Sequence, residues 1–392
     1  MVGKQPRAVV RFPIVLWLIV SVIRLPALGQ DVSLQLKTKS GRTEFYIGEV
    51  ILLDFVLTAD TPVPSTIRGE ALPEKYPLRD IFQIKPASGW EDPLSDYRKA
   101  LFKAETSGHF PIAGSVLSAN VSLSPEPLEM SAVVLNDYIK FLQPGAYTVQ
   151  VRDSRVTIKR PGMPAEQLAL TSNRLSLKLI PPNAQWQQNQ LREALGSLAQ
   201  LRQAIQSGAR SYRAILADSC VTIRALGTEG AGAAMVDALT DEALFSRCAF
   251  QVGIWEFPNK RFILERIRQL LKQPEIPITY TFFETMATTS LLANRDFDQL
   301  FSIKPRKIDQ QLKEQILGVL PSKRGEAKTG TINTLVGISF ARYGGSTGDL
   351  MRAEKISTLD SRVLELATDN FDQLSPTAQK TILNYRKVQH LN

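Results

Sequence analysis

The apolar residues of this chain change their spacing once, at Pro181 and Pro182. Before the two prolines, apolar and polar residues alternate in short runs, which is typical of half-buried strands. After them, apolar residues recur every three or four positions, which is typical of amphipathic helices. The prolines cannot donate to a sheet and form a stiff, extended linker, so they mark a domain boundary. The pattern predicts a multidomain protein with an all-β domain at residues 30–181 and an all-α domain at residues 182–392.

Residues 1–29 have the three parts of a secretory signal peptide. Three basic residues precede an apolar run over residues 12–23, and small residues at Ala27 and Gly29 occupy the positions that signal peptidase reads. An arginine and a proline interrupt the run before it reaches the ~20 residues that a membrane span needs. We therefore expect cleavage after Gly29 and an exported mature chain, periplasmic or secreted, with no stable membrane span. The alternative is that the segment is kept as an uncleaved anchor.

The charge of the chain is mildly basic and scattered. The formal net charge is +9, and the four basic residues of the leader account for four of it, which leaves +5 on the mature part. A nucleic-acid-binding surface needs a clustered basic stripe, which the sequence does not have. His109 and His390 are the only imidazoles, which argues against a His-based zinc site or a Ser-His-Asp triad. We predict no nucleic-acid binding, no cofactor, and no catalytic or metal-binding residue.

The two cysteines, Cys220 and Cys248, leave two interpretations open. An oxidising compartment permits a disulfide between them. Spacing along the sequence does not show whether their Cα atoms lie within bonding distance. The alternative is two buried thiols on apolar helix faces.

The clearest strand of the first domain lies within residues 135–153, where Tyr147, Val149 and Val151 alternate with polar residues after a Pro-Gly turn. A tyrosine at this place matches the tyrosine corner of immunoglobulin-like sandwiches, in which the hydroxyl bonds to backbone a few residues upstream. Residues 60–131 are rich in proline, serine and glycine, and they predict one or two strands with long inserted loops. The domain is therefore expected to be an Ig-like β-sandwich of about seven strands.

The second domain shows no strand signal. About ten helices of 11 to 20 residues, joined by short turns, fit the sequence beyond Trp186. This rhythm predicts stacked helical hairpins, as in an α-solenoid of the HEAT or armadillo-like type. No residues match at a fixed period, so the solenoid prediction depends on the alternation of helices and turns alone.

Five segments together resemble a known class of proteins: GWEDPLSDY, LNDYIKFLQPGAYTVQV, TSNRLSLKLIPP, RALGTEGAGAAMVDAL and LPSKRGEA. The class consists of uncharacterised exported bacterial proteins that pair an Ig-like β domain with a HEAT or armadillo-like helical domain. The resemblance covers nearly all of the mature chain. It implies the fold and export, and it brings no activity or catalytic residue with it.

Two glycine-rich motifs and three pairs of aspartates are weak candidates for chemistry. Gly227–Gly232 lacks the spacing and the preceding strand of a phosphate-binding loop, and Gly344–Gly348 follows a predicted helix where a nucleophile elbow follows a strand. Both are interpreted as turns between helices. The aspartates are interpreted as capping or solvated groups. These pairs are Asp92 with Asp96, Asp296 with Asp298, and Asp369 with Asp372.

Three aromatic residues, Trp90, Tyr97 and Phe102, fall in the predicted loop region. If exposed, they would form an edge that binds a ligand or a partner, since aromatic residues anchor interfaces. If packed against the sandwich or the first helix, they would form the interface between the two domains. We favour the interface, because a long loop in a small sandwich needs an apolar anchor of its own.

These observations favour an exported, non-enzymatic binding or scaffolding protein whose helical domain offers a surface to a protein or peptide. The first alternative is a carbohydrate-active enzyme with an Ig-like domain before an α/α toroid, which would gather Glu284, Asp296 or Asp298 in a cleft. The second alternative is a purely structural component of the cell envelope.

Overall fold

The computed structural model describes residues 32–68, 81–106, 118–130, 133–207, 213–301, 306–340 and 360–389. Strands occupy the first part of the chain and helices the second, so the predicted order is confirmed. The signal segment, both histidines and the motif Gly344–Gly348 lie outside the described residues.

The β region has fifteen described strands. In chain order they are β1 (Val32–Thr38), β2 (Glu44–Tyr46), β3 (Leu52–Ala59), β4 (Val63–Arg68), β5 (Phe82–Lys85), β6 (Trp90–Glu91), β7 (Ser118–Leu123), β8 (Leu128–Glu129), β9 (Val133–Val134), β10 (Lys140–Phe141), β11 (Gly145–Asp153), β12 (Val156–Ile158), β13 (Glu166–Gln167), β14 (Leu170–Thr171) and β15 (Leu175–Ile180).

Among the described strands, β3 and β11 organise the sheets. Strand β3 pairs with β1 along one edge and with β8 and β9 along the other, all antiparallel. Strand β11 pairs antiparallel with β15, β5 and β14, and β2 runs parallel to β15. Strands β13, β12, β4 and β7 form a third sheet in that order, and β6 pairs with β10 as a short ribbon.

One apolar core joins the three sheets of the β region. The alternating residues Tyr147, Val149 and Val151 of β11 all point into it. On β3, Leu53 and Val56 face opposite ways and both are buried, because this strand lies inside its sheet with a cover on each face.

The hydroxyl of Tyr147 lies 2.9 Å from the carbonyl oxygen of Gln143, four residues upstream, and 3.0 Å from that of Gly89. Its single hydrogen can serve either acceptor. A side chain at Gly89 would not fit, since a Cβ there would lie 2.3 Å from the phenol oxygen and the backbone has φ +85°. The hydroxyl thereby joins the turn before β6 to the turn before β11.

Residues 60–131 contain more regular structure than the sequence predicts. They hold strands β4 to β8 and the helix α1 (Ser95–Thr106), instead of one or two strands and long loops. The helix is hidden in the sequence because its buried face includes Arg98, whose charge is neutralised by Asp92. Asp92 also accepts a hydrogen bond from the backbone of Leu94 at 3.0 Å, which shapes the turn that starts the helix.

The helical region begins directly after Pro181 and Pro182. Its helices are α2 (Ala184–Gln206), α3 (Arg213–Leu226), α4 (Glu229–Asp237), α5 (Glu242–Arg247), α6 (Phe250–Glu256), α7 (Lys260–Leu271), α8 (Tyr280–Asn294), α9 (Phe297–Leu300), α10 (Lys307–Val319), α11 (Gly325–Phe340), α12 (Ser361–Asp369) and α13 (Pro376–Val388).

Two predictions for the helices are wrong. The helical spacing of Leu244, Cys248, Val252 and Trp255 predicts one helix over residues 241–255. The structure has two helices there, α5 and α6, because Ala249 takes the left-handed conformation with φ 52° and breaks the run. The segment Gly227–Gly232 is a turn only at its start, and α4 begins at Glu229. Gly232 lies inside α4, where a Cβ would come within 2.8 Å of the Phe257 ring, so the glycine allows close helix packing.

The helices pack mainly against helices near them in the sequence, and they share one apolar core. Cys220 in α3 and Cys248 after α5 are joined by a disulfide, with Cα atoms 5.1 Å apart and both residues buried. None of the helices in the described ranges has the length and apolarity needed to cross a bilayer.

Candidate functional site

The two regions meet along the ends of α2, α3 and α6. The ring of Tyr46 in β2 lies 4.6 Å from that of Trp186 in α2, measured between centroids. Gly48, with φ +88°, fits against the last carbonyls of α3, and a Cβ there would lie 3.2 Å from the oxygen of Leu226. This close approach brings the β6–β10 ribbon and the short turn before β10 next to the helices.

Four charged residues form a buried cluster at this junction, which we call the interface cluster. It consists of Asp137 in the turn before β10, Lys140 in β10, Arg224 near the end of α3 and Glu256 at the end of α6. The guanidinium of Arg224 lies 3.0 Å from the Asp137 carboxylate. The ammonium of Lys140 lies 3.5 Å from Glu256 Oε2 and 3.4 Å from the carbonyl oxygen of Arg224.

The interface cluster leaves hydrogen-bonding groups unused. Within the described residues, Glu256 Oε1, Arg224 Nε and Trp255 Nε1 are buried without a hydrogen-bond partner. The Glu256 side chain is only 1 % exposed. Burial raises the pKa of Glu256 to about 7, and the nearby charge of Lys140 opposes this shift without cancelling it. Glu256 is thus a desolvated carboxyl with half of its acceptor capacity unsatisfied.

A second titratable group, Lys260 at the start of α7, lies beside the cluster. It is half-buried and donates a hydrogen bond to the carbonyl oxygen of Phe257. Burial lowers its pKa to about 8, the charge of Lys140 lowers it further, and Glu256 and Glu91 act in the opposite direction. At neutral pH the lysine is still mainly protonated.

A cleft of about 650 Å³ opens beside the interface cluster. The β region contributes β6 and the start of α1 to its walls, and the helical region contributes α6, α7, α9 and the end of α8. Glu256 and Trp255 line the cleft, so the unsatisfied cluster borders it directly. A cleft volume of about 650 Å³ is in the range of small-molecule and peptide-binding pockets.

The charged residues of the cleft are divided by sign between the two regions. Those of the β region are acidic: Glu91, Asp92 and Asp96. Those of the helical region, apart from Glu256, are basic: Lys260, Arg261, Arg268 and Arg295. Three aromatic residues also line the cleft: Tyr97, Trp255 and Phe297.

The structure separates the three aromatic residues singled out in the sequence. Tyr97 lies at the junction, with its ring centroid 5.6 Å from that of Trp255. Trp90 packs against the core of the β region, and its indole N–H donates to the carbonyl oxygen of Pro86 at 3.0 Å. The side chain of Phe102 lies outside the part of the chain that the structure describes.

The carboxylates considered for a glycosidase site do not line the cleft. Glu284 pairs with Arg306 at 2.9 Å and accepts a hydrogen bond from Tyr280. Asp296 caps α9 through the backbone of Gln299, and neighbouring Asp298 lies in the first turn of that helix. The described residues also contain no group of histidine, cysteine or acidic side chains that could hold a metal ion.

The sequence analysis did not identify the interface cluster. Lys140 lies between Ile139 and Phe141, and Glu256 lies between two aromatic residues. A charged residue inside such an apolar run is rarely buried unless it is paired. The positions of Lys140 and Glu256 in the sequence could therefore have predicted a buried ion pair. Their partners, however, come from distant parts of the chain.

The fold and the cleft define a class of protein in which a β region and a helical region enclose a charged cleft at their junction. Comparison of the chain with protein-family models, with curated proteins and with solved structures finds no match.

Proposed function

We propose that this chain is an exported, non-enzymatic binding or scaffolding protein, and that it holds a protein segment or peptide against the helical region in the cleft. The observation that carries the proposal is the unsatisfied carboxyl of Glu256 at the edge of that cleft. A buried acceptor without a donor is destabilising by ~1–3 kcal/mol. A ligand that enters the cleft and supplies hydrogen bonds at its base offsets this cost.

The finer architecture is part of the same proposal. An Ig-like assignment of the β region is supported by the hydrogen bond from Tyr147 to Gln143, which has the form of a tyrosine corner. A HEAT or armadillo-like assignment of the helical region is supported by helices that pack on their neighbours in the sequence. This combination is that of the exported bacterial proteins which the five sequence segments resemble.

Export is supported by the disulfide between Cys220 and Cys248, since such bonds persist in oxidising compartments and are rare in the cytosol. The measurement is thiol alkylation of protein taken from culture medium or periplasm without reductant. The proposal expects no alkylation before reduction and two alkylated cysteines after it. Recovery of the chain only from the cytosol, with both thiols reactive, would refute export.

Binding at the cleft can be tested with a displayed peptide library and two matched variants. Asp96 and Lys99 are both exposed on α1 and pair with each other at 3.3 Å, but only Asp96 lines the cleft. Asp96→Trp therefore obstructs the cleft, whereas Lys99→Trp breaks the same ion pair and leaves the cleft open. We expect wild type and Lys99→Trp to enrich the same peptides, and Asp96→Trp to enrich none of them.

Two outcomes would overturn the proposal. Equal enrichment by both tryptophan variants would place peptide binding elsewhere. The absence of any enriched peptide with wild type would favour the alternative of a purely structural envelope component.

A further inference from the structure

We propose that the ligand of the cleft is an acidic peptide segment, bound through its carboxylates by Arg261, Arg268 and Arg295. The inference rests on the proposed function, because it names the chemistry of the peptide that the cleft holds. It follows from which charges of the cleft are already neutralised by the protein and which are not.

The acidic residues of the cleft are mostly engaged. Three of the four have a cationic partner outside the lining of the cleft: Asp92 pairs with Arg98, Asp96 with Lys99, and Glu256 with Lys140. The fourth, Glu91, lies opposite Lys140 in the register of β6 and β10, and it is close enough to Lys260 to raise the pKa of that lysine. The protein's own cations therefore counter the negative charge of this wall.

The arginines of the cleft are not neutralised in this way. Arg261 and Arg295 have neither a salt bridge nor a side-chain hydrogen bond to any residue that the structure describes. Arg268 has only a 3.8 Å contact with Glu265, and its side chain is 48 % exposed. The uncompensated charge in the cleft is thus positive and lies on α7 and at the end of α8.

The placement of these arginines suits carboxylates spaced along an extended chain. Arg261 and Arg268 are seven positions apart on α7 and share a face with Leu264, which also lines the cleft. Arg295 is the residue directly after the last residue of α8. A guanidinium binds a carboxylate through two parallel N–H donors, so three arginines on two helices can each hold one acidic group.

Arg295 is also the C-terminal cap of α8. This residue takes the left-handed conformation with φ 54° at the end of α8, a position where glycine is usual. A side chain in this conformation is destabilising by ~1 kcal/mol. This conformation lets the backbone N–H groups of Arg295 and Asp296 donate to the carbonyl oxygens of Leu292 and Leu291 and cap the helix. The guanidinium is exposed and bonds to no described residue, which leaves it available to a ligand.

The cleft favours a peptide over a nucleic acid. A nucleic acid carries a phosphate at every step, and its backbone would meet the wall formed by Glu91, Asp92 and Asp96. A peptide can place carboxylates against the arginines and neutral or basic groups against the acidic wall. The rings of Tyr97 and Trp255 provide an apolar surface between them.

The test measures binding by fluorescence anisotropy with three labelled peptides of equal length. The peptides have the same aromatic residues at the same positions and differ only in carrying three Glu, three Gln or three Lys. A labelled oligothymidylate is the fourth probe. We expect the Glu peptide to bind about tenfold or more tightly than the Gln peptide. The Lys peptide and the oligothymidylate should bind more weakly than the Glu peptide.

Three variants assign the effect to the cleft. Arg261→Gln with Arg268→Gln, and separately Arg295→Gln, should each weaken binding of the Glu peptide by about tenfold or more. Arg266→Gln is the control, because it removes one positive charge, as Arg295→Gln does, but lies outside the cleft, paired with Asp237 at 2.8 Å. Its effect should stay below about twofold.

The inference is overturned if the Gln or Lys peptide binds as tightly as the Glu peptide, if the oligothymidylate binds more tightly, or if Arg266→Gln weakens binding as much as the cleft variants do. These outcomes are distinct from failure of the proposed function. Peptides enriched from the library at the cleft but lacking acidic residues would refute the inference alone, whereas no enriched peptide would refute both.

Discussion

Two clusters of charged residues in this protein, each of which contains buried side chains, differ in how completely their polar atoms are paired. The interface cluster of Asp137, Lys140, Arg224 and Glu256 leaves polar atoms without partners in the described chain. The other, which we call the C-terminal ion cluster, joins α10 to α12 and consists of Lys313, Glu314, Asp360 and Arg362. No side-chain nitrogen or oxygen of that second cluster is among the unsatisfied buried atoms of the described residues.

The C-terminal ion cluster is closed by its own residues. Asp360 accepts hydrogen bonds from the backbone and the guanidinium of Arg362 and lies 3.3 Å from the buried ammonium of Lys313. The hydrogen bonds from Arg362 lower the pKa of Asp360 to about 2, although burial opposes the shift. At the junction the balance is reversed, and burial prevails at Glu256.

The difference separates a structural cluster from a candidate binding site. Both clusters bury charge at the contact of elements distant in sequence. The interface cluster borders a cleft, and of the two clusters it is the one with unsatisfied buried atoms among the described residues. Substitutions should therefore have opposite signs in the two clusters, and the following predictions test this from the largest expected effect to the smallest.

Replacing Asp360 by asparagine should reduce the free energy of unfolding by about 3 kcal/mol at pH 7. The amide still caps α12, but the ammonium of Lys313, 2 % exposed, loses its ion pair with Asp360. Because the folded-state pKa of Asp360 is depressed, its stabilisation is present above about pH 4 and is lost as the pH falls through about 2. Urea unfolding at pH 7 and at pH 2 measures both effects.

The control for this variant is Glu314→Gln in the same cluster. Glu314 pairs with Arg362 at the surface, so its loss should change stability by less than ~1 kcal/mol. Equal and small effects of the two substitutions would show that the C-terminal ion cluster is not a closed structural unit.

Replacing Glu256 by glutamine should have the opposite sign and stabilise the protein by about 2 kcal/mol at pH 8.5. The folded-state pKa of Glu256 is raised from 4.5 to about 7, so the fold favours the protonated form. The penalty of burying the charge is absent below about pH 4.5 and complete above about pH 7. Wild type and Glu256→Gln should therefore converge in urea unfolding at pH 4 and separate as the pH rises.

Glu265→Gln on the exposed side of α7 is the matched substitution and should change the free energy of unfolding by less than ~1 kcal/mol. If Glu256→Gln were instead destabilising at pH 8.5, the interface cluster would be as complete as the C-terminal one. The contrast between the two clusters would then be lost.

Tyr147 is a buried, neutral group whose hydroxyl is hydrogen-bonded, and its removal gives a reference for the stability effects predicted in the two clusters. Tyr147→Phe removes a donor shared by the carbonyl oxygens of Gln143 and Gly89 and should cost about 1 kcal/mol in denaturant titration. Tyr46→Phe is the control, since the Tyr46 hydroxyl has no hydrogen bond to the described residues and its loss should have no measurable effect. Equal stability of Tyr147→Phe and wild type would remove this hydroxyl from the determinants of the fold.

The order of the two regions and most of the helices could be predicted because local spacing of apolar residues determines them. The spacing of apolar residues gave wrong predictions where tertiary packing determines the local conformation. At Ala249 the left-handed conformation breaks an unbroken helical pattern, and in α1 a buried arginine replaces an apolar residue. Two-residue strands such as β6 and β10 are too short to carry a period at all.

The candidate site could not be predicted for a related reason. Apolar spacing indicates which face of an element is buried, but it does not indicate which charged residues meet there. Lys140 and Glu256 come from different regions of the chain and are brought together only when the ribbon of β6 and β10 docks on α6. Arg261 and Arg295 likewise lack an acidic partner among the described residues because Asp92 and Asp96 of the β region pair with other cations.

The smallest expected effect sets stability against binding at the edge of the cleft. Arg295→Gly relieves the left-handed backbone after α8 and should stabilise the free protein by about 0.5 kcal/mol. The same substitution should weaken binding of the Glu peptide by about tenfold, as expected for a lost guanidinium at the interface with a ligand. Ala249→Gly relieves the other non-glycine residue with positive φ in the described part of the chain, which does not line the cleft, and should raise stability without changing binding. If Arg295→Gly gains stability and binds peptide as well as wild type, Arg295 has no role in recognition, and the incomplete cluster at the edge of the same cleft must be explained without it.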